Sequence, residues 1–227
     1  MNPEEALKNI FEEIKNGNHL GEPITLVGAT KTVDLLTIQR AIDCGLKAVG
    51  ENRVQEFREK APFLHGAEIH FIGHLQTNKV NKVVGRAALI ESVDSEHLLQ
   101  KVERAAAAAN LTQEILIEIN IGGEESKSGV SAESLWPLLD MAAAQPHIRL
   151  RGLMAIPPAA ATPDETRAFF AQMRELLAKA ADRHYENAKM DILSMGMSGD
   201  YPDAIREGAT IVRIGTAIYG ARDYSKK

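Results

Sequence analysis

Eight short apolar or β-branched runs recur along the 227-residue chain, at 24–29, 46–50, 68–73, 88–93, 114–121, 149–154, 191–195 and 210–214. Each is followed by a polar segment, and that alternation limits the fold more than any other feature. Helix formers at 3.6-residue spacing predict helices over 33–43, 54–64, 75–84, 96–109, 131–144 and 163–182, with a shorter one over 201–207. Thr162 and Glu165 have the spacing of a capping box with Pro163 at the first helical position, and Gly45 and Asn110 fall where helices should stop. Strand-helix alternation implies a parallel sheet, since each crossover must return the chain to the same edge. Eight units predict closure into an α/β fold of the (β/α)8 barrel type, with an open doubly wound sheet as the alternative. An extra helix over about 3–16 precedes the first strand. No Pro/Gly/Ser-rich linker interrupts the pattern, so residues 1–227 are expected to form a single barrel domain.

Composition supplies exclusions. With 44% hydrophobic and 25% charged residues the chain can build one sizeable core, and a net charge of −5 offers nothing to attract nucleic acid or an anionic membrane. No apolar run approaches the ~18 residues of a membrane span, and the first residues are acidic and amphipathic rather than basic and apolar. The single cysteine, Cys44, cannot form an intrachain disulfide, which suits a reducing compartment. A cytoplasmic location is expected, with Cys44 packed inside.

In such barrels the site lies where strands end. Here those ends carry Lys31, Glu51-Asn52-Arg53, His74, Glu91-Ser92, Asn120, Met154, the segment 194–200, and Arg213 to Thr216. Lys31 at the end of a buried strand either snorkels to solvent or sits in a partly dry pocket whose depressed pKa frees the amine for a Schiff base. Gly196, Ser198 and Gly199, with Gly215 and Thr216, are either two ordinary tight turns or the pair of loops that binds phosphate in many barrels. Arg213 either pairs with a rim acid such as Glu51 or Asp200, or donates into the mouth. Lysine, phosphate loops and donor arginine together suggest pyridoxal 5′-phosphate (PLP). A Schiff-base aldolase acting on a phosphorylated sugar would use the same lysine and loops.

The motifs go further. Gly28-Ala-Thr-Lys31, Gly50-Glu-Asn-Arg-Val-Gln-Glu56, His70-Phe-Ile-Gly-His-Leu-Gln-Thr-Asn-Lys79, the segment Asn120 to Gly129, Arg151 to Pro158 and the long segment Leu193 to Gly220 resemble those of the pyridoxal phosphate homeostasis proteins. That family shares the fold type III barrel of the alanine racemase amino-terminal domain. The resemblance implies a Schiff base between PLP and Lys31, with Asn52 beside the cofactor. It also implies that Ser198, Gly215 and Thr216 hold the phosphate, that Arg213 faces the pyridine nitrogen, and that Met195 and His74 belong to the pocket wall. Thr30 and Thr32-Val33 depart from the serine and proline of many relatives. No metal ligand and no catalytic residue is expected.

By the same resemblance the protein stores or delivers PLP, meets apo-enzymes transiently, and is a monomer. An arginine facing the ring nitrogen cannot accept a hydrogen bond, so it disfavours the protonated ring that serves as a strong electron sink. A vestigial amino-acid racemase is the enzymatic alternative; it needs a second base, for which only His74 or Tyr219 offers itself. Glu124 and Lys127 read as a local ion pair, or as part of a loop over the mouth at 122–129, and the tail 223–227 either covers the barrel or hangs free.

Overall fold

Each predicted run forms a strand in the computed structural model, which describes residues 3–124 and 127–220. The strands are β1 (Thr25–Ala29), β2 (Ala48–Glu51), β3 (Glu68–Phe71), β4 (Leu89–Val93), β5 (Gln113–Ile119), β6 (Ile148–Ala155), β7 (Ala188–Ser194) and β8 (Ile211–Ile214). They pair in chain order, and all the pairings are parallel. Pairing of β1 with β8, from Thr25 opposite Ile211 to Gly28 opposite Ile214, closes the barrel and excludes the open sheet.

The helices are α1 (Pro3–Ile14), α2 (Leu35–Asp43), α3 (Val54–Lys60), α4 (Glu96–Ala108), α5 (Leu135–Ala143), α6 (Pro163–Ala181), α7 (Tyr201–Arg206) and α8 (Thr216–Tyr219). The capping box at Thr162 and Glu165 is formed in both directions. Asn110 and Gly45 stop their helices at φ 50° and 105°, conformations open to asparagine and glycine. The expected helix over 75–84 is instead a 3-10 segment, Thr77–Lys82. Thr77, Asn78 and Asn81 offer the backbone local side-chain alternatives to the α-helix, and Val80 is stiff. The helix expected from 131 starts at Leu135, because the hydroxyl of Ser131 caps a turn at Ser134 first. Cys44 corrects the reading of a packed thiol: as the residue after α2 it is exposed. Among the described residues no helix is long and apolar enough to cross a membrane. The tail 223–227 and the pair Glu125-Ser126 lie outside the described residues.

Side chains alternate across a strand, so the barrel interior is built in layers two residues apart. The lower layer is Val27, Ala48, Leu89, Leu116, Met154 and Ile211, a separate apolar cluster inside the sheet. Two residues on, towards the strand ends, come Ala29, Gly50, Glu91, Glu118, Ile156 and Arg213. The upper interior thus carries three charged side chains, Glu91, Glu118 and Arg213, and the floor beneath it is dry. The larger apolar core lies between sheet and helices, around Leu46, Phe57, Phe71, Leu99 and Phe170.

The barrel is irregular on one side, with register shifts between Ile115 and Leu116 on β5 and between Leu150 and Gly152 on β6. A Cβ on Gly152 would lie 1.9 Å from the carbonyl oxygen of Ile192, a backbone atom with no freedom to retreat. Gly152→Ala is therefore expected to destabilise the protein by at least the ~1–3 kcal/mol of an overpacked core, read as a lower midpoint of denaturant unfolding.

Candidate binding site at the barrel mouth

At the carboxyl-terminal end of the strands a cavity of about 240 Å³ is lined by Lys31, Asn52, Ser198, Arg213, Gly215 and Thr216, with Ala29, Ile72, Ile156, Met197 and Gly199 completing the wall. Six of the eight expected site residues thus come together from β1, β2, β7 and β8. Met195 does not line the cavity; it is fully buried in the outer core, and Met197 supplies the sulfur side chain of the wall. His74 lies in the adjoining cavity. A larger cavity of about 460 Å³ sits at the other end of the barrel, but there Arg151 already pairs with Glu114 and Asp191.

Lys31 follows the buried Thr30 and precedes Thr32, which is held at φ 65°, an unfavourable value for a β-branched residue. The corner is fixed from outside the cavity. The backbone N–H of Thr32 donates to Glu56 at 2.7 Å, and the buried Lys60 ammonium donates to the Thr30 carbonyl, Glu51 Oε1 and Glu56 Oε2, each at 2.8 Å. The Thr30 hydroxyl adds a 2.6 Å bond to Glu51. Burial pushes the Glu51 carboxyl up, with Lys60 and Thr30 pulling it back. Three donors on Lys60 hold the backbone that presents Lys31, while the half-buried Lys31 amine has no hydrogen-bond or ion-pair partner among the described residues.

Arg213, 4% exposed, pairs with neither Glu51 nor Asp200. Its guanidinium donates to the Ser194 hydroxyl and, at 3.0 Å, to the Ala155 carbonyl; Ser194 in turn donates to Glu91 Oε2 at 2.6 Å. His70 Nδ1 lies 2.7 Å from Glu91 Oε1. Burial pulls the His70 imidazole down, but Glu68 and Glu91 outweigh it and hold the pKa at about 9. The remaining N–H groups of Arg213 are free for the cavity.

At the β7 and β8 ends, the N–H groups of Gly215 and Ala217 donate to Ser198 Oγ at 3.3 and 3.2 Å. An oxygen that accepts twice keeps its own proton for a third partner, so Ser198 is a donor facing the cavity. A Cβ on Gly199 would meet no atom within 4 Å. An amine, a guanidinium and a hydroxyl around one space favour an anion that also carries an aldehyde, and this donor set fits PLP.

The adjoining cavity, about 320 Å³, shares Asn52, Ile72 and Ile156 with the first and adds Gly73, His74, Glu118, Ile119, Lys127 and Ser128. His74 is exposed, with Nδ1 3.2 Å from Asp94 and 3.3 Å from Ser128 Oγ. A Cβ at Gly73 would lie 2.3 Å from the Asn52 carbonyl oxygen, so glycine there lets the end of β3 pass closely over the Asn52 backbone. Lys127 pairs with Glu124 at 2.6 Å, as the spacing predicts, and donates to the Pro157 carbonyl at 3.1 Å. Glu118 is 8% exposed. Burial first, then the charge of Asp94, push its carboxyl up to about 7 against the pull of Arg213 and His74.

Sequence reasoning missed His70, Glu118 and Lys60, and named Glu91 only as a strand end. Two of these leave a trace, since Glu91 and Glu118 are charges inside otherwise apolar strand runs, but their partners lie on distant strands.

Residues 6–223 match the model of the family described as "Alanine racemase, N-terminal domain". The pyridoxal phosphate homeostasis protein of Aquifex aeolicus is 44% identical over 99% of this chain and 100% of its own length. That of Escherichia coli K12 is 40% identical over 91% of this chain and 89% of its own. PipY of Synechococcus elongatus, solved with PLP bound, superposes with a TM-score of 0.85 at 30% identity, covering 96% of this chain and 100% of that one. D-threonine aldolase of Filomicrobium marinum, at 19% identity and a TM-score of 0.76 over 96% of this chain and 60% of its own, shares the fold.

His70 sets a pH dependence. Its folded pKa of about 9 exceeds the ordinary histidine value, so the stabilisation is complete below pH 6.5 and lost as pH rises through 9. Unfolding free energy is expected to fall by about 3 kcal/mol between pH 6.5 and 9 in denaturant titrations. That slope should flatten in His70→Gln, and nitrogen NMR should find the imidazole protonated at pH 7.5.

Proposed function

Because the chain belongs to the pyridoxal phosphate homeostasis proteins, built on the alanine racemase amino-terminal domain, we propose that it binds PLP at the barrel mouth and stores or delivers it. The observation that carries this reading is one cavity holding an uncommitted lysine amine, a buried guanidinium and a hydroxyl-and-amide cradle. When bound, the cofactor supplies an aldehyde that reacts reversibly with primary amines and a ring that draws electrons from neighbouring bonds.

The chain's own groups divide that work. Lys31 supplies the nitrogen for the covalent link. Ser198, Gly215 and Thr216 hold the phosphate, and Asn52 flanks the ring. Arg213 donates towards the ring nitrogen, and its commitments to Ser194 and Ala155 keep the guanidinium from swinging away. As a permanent donor it leaves that nitrogen unprotonated, which weakens the ring as an electron sink.

Turnover is disfavoured for a second reason. Among the described residues no His, Tyr, Asp or Glu lines the Lys31 cavity. His74 stands next door, and the Tyr219 hydroxyl is buried without a partner beside Gly28, outside the lining. The reading is of a carrier rather than an enzyme: one cytoplasmic barrel domain, monomeric, that meets apo-enzymes transiently.

The test is loading with PLP, a visible spectrum, borohydride reduction and peptide mass mapping. A yellow protein with a reduced pyridoxyl group on Lys31, and loss of the visible band in Lys31→Ala, is the expected result. A chain that stays colourless with excess PLP overturns the assignment.

A further inference from the structure

The second cavity contains a group that the carrier reading does not use. Glu118 is more than nine-tenths buried and lines this cavity, and its side-chain carboxyl makes no hydrogen bond or ion pair to any described residue. Buried carboxyl groups almost always have partners, and a cationic N–H donor is the partner that would offset both the burial of this one and the nearby charge of Asp94. Asp94 adds a second negative charge nearby, while the cavity's lysine, Lys127, is already committed to Glu124 and the Pro157 carbonyl. A ligand here should bring a positive charge with several N–H donors, and the cavity's own basic side chains, Lys127 and His74, already face Glu124 and Asp94 rather than a carboxylate of the ligand.

We infer that this cavity is a subsite for a primary ammonium group, held by Glu118, and that the amine it receives is of the lysine side-chain type. The cavity shares Asn52, Ile72 and Ile156 with that of Lys31, so a nitrogen bound there lies across one wall from the Lys31 amine. The functional consequence rests on the carrier reading. Cofactor would leave by exchange with an incoming amine, not only by reaction with water. The ammonium gives one proton to Glu118. The carbon–nitrogen double bond to Lys31 is then replaced by one to the incoming nitrogen, whose two remaining hydrogens end on the Lys31 amine, with no oxidant or reductant consumed.

Two experiments separate this inference from the carrier reading. In the first, protein without cofactor is titrated with n-butylammonium chloride and followed by NMR, with n-butanol as the uncharged control. Saturable shifts around Glu118 are expected, at least tenfold weaker in Glu118→Gln. Equal shifts with butanol, or no change in the variant, overturn the subsite whatever the cofactor does. In the second, PLP-loaded protein is mixed with Nα-acetyl-lysine amide or with L-alanine, and loss of the Lys31-bound colour is timed.

For the lysine amide a rate that saturates is expected, with half-saturation raised at least tenfold in Glu118→Gln while that variant keeps the same starting spectrum and melting temperature. Saturation at lower concentration with L-alanine would assign the ammonium site to free amino acids, against the lysine-type source. Rates linear in both amines, or unaltered by the substitution, overturn the inference. Failure of the protein to colour at all would count against the carrier reading and leave the first experiment standing.

Discussion

The upper half of the barrel depends on one carboxylate. Glu91 has no exposed surface and joins His70 on β3 to Ser194 on β7, and through Ser194 to Arg213 on β8. A buried guanidinium is tolerable only with a counter-charge and partners for its donors; Glu91, 3.8 Å away, supplies the charge, while Ser194 and the Ala155 carbonyl accept the hydrogen bonds. With His70 protonated, its charge is shared between Glu91 and Glu68, and Glu91 also faces Arg213, so the guanidinium on the cavity floor belongs to a fixed network. An anionic ligand meets a field already fixed before it arrives, and no side chain on the floor has to reorganise to receive it.

Next to this basic cavity lies one of the opposite sign. Arg213 and Lys31 face one side of a wall made by Asn52, Ile72 and Ile156, and Glu118 faces the other, with Asp94 close by. Charges interact strongly through a low-dielectric wall, so the two cavities are coupled: Arg213 pulls on the Glu118 carboxyl from the other side. The apolar lower layer seals the barrel beneath, so all of this polarity opens in one direction, towards the strand ends.

How much of this was legible beforehand follows from how local each signal is. The strands were readable because a buried parallel strand is a continuous apolar run, and the barrel because eight such runs alternate with amphipathic segments. Lys31, Ser198, Arg213 and Thr216 were readable as polar residues at strand ends, and Gly215 as a glycine between two of them. The Glu91 network was not, because its members sit 19 to 103 residues apart and only closure of the sheet brings them together. Met195 misled because the strand has ended and the chain turns at Gly196, at φ 90°, which leaves Met195 in the core and brings Met197 to the cavity. Cys44 misled because a small apolar residue at a helix end takes its burial from its neighbours.

The corner at Thr30 to Thr32 bears on chemoselectivity. An aldehyde at the mouth meets more than one primary amine, and proximity alone would not choose between them. Lys60 spends its three N–H donors on Thr30, Glu51 and Glu56, so releasing its lone pair would break the clasp that shapes the loop. Lys127 is tied to Glu124 and Pro157. Lys31 alone among these three makes no such commitment, so the fold selects its nucleophile by occupying the other two.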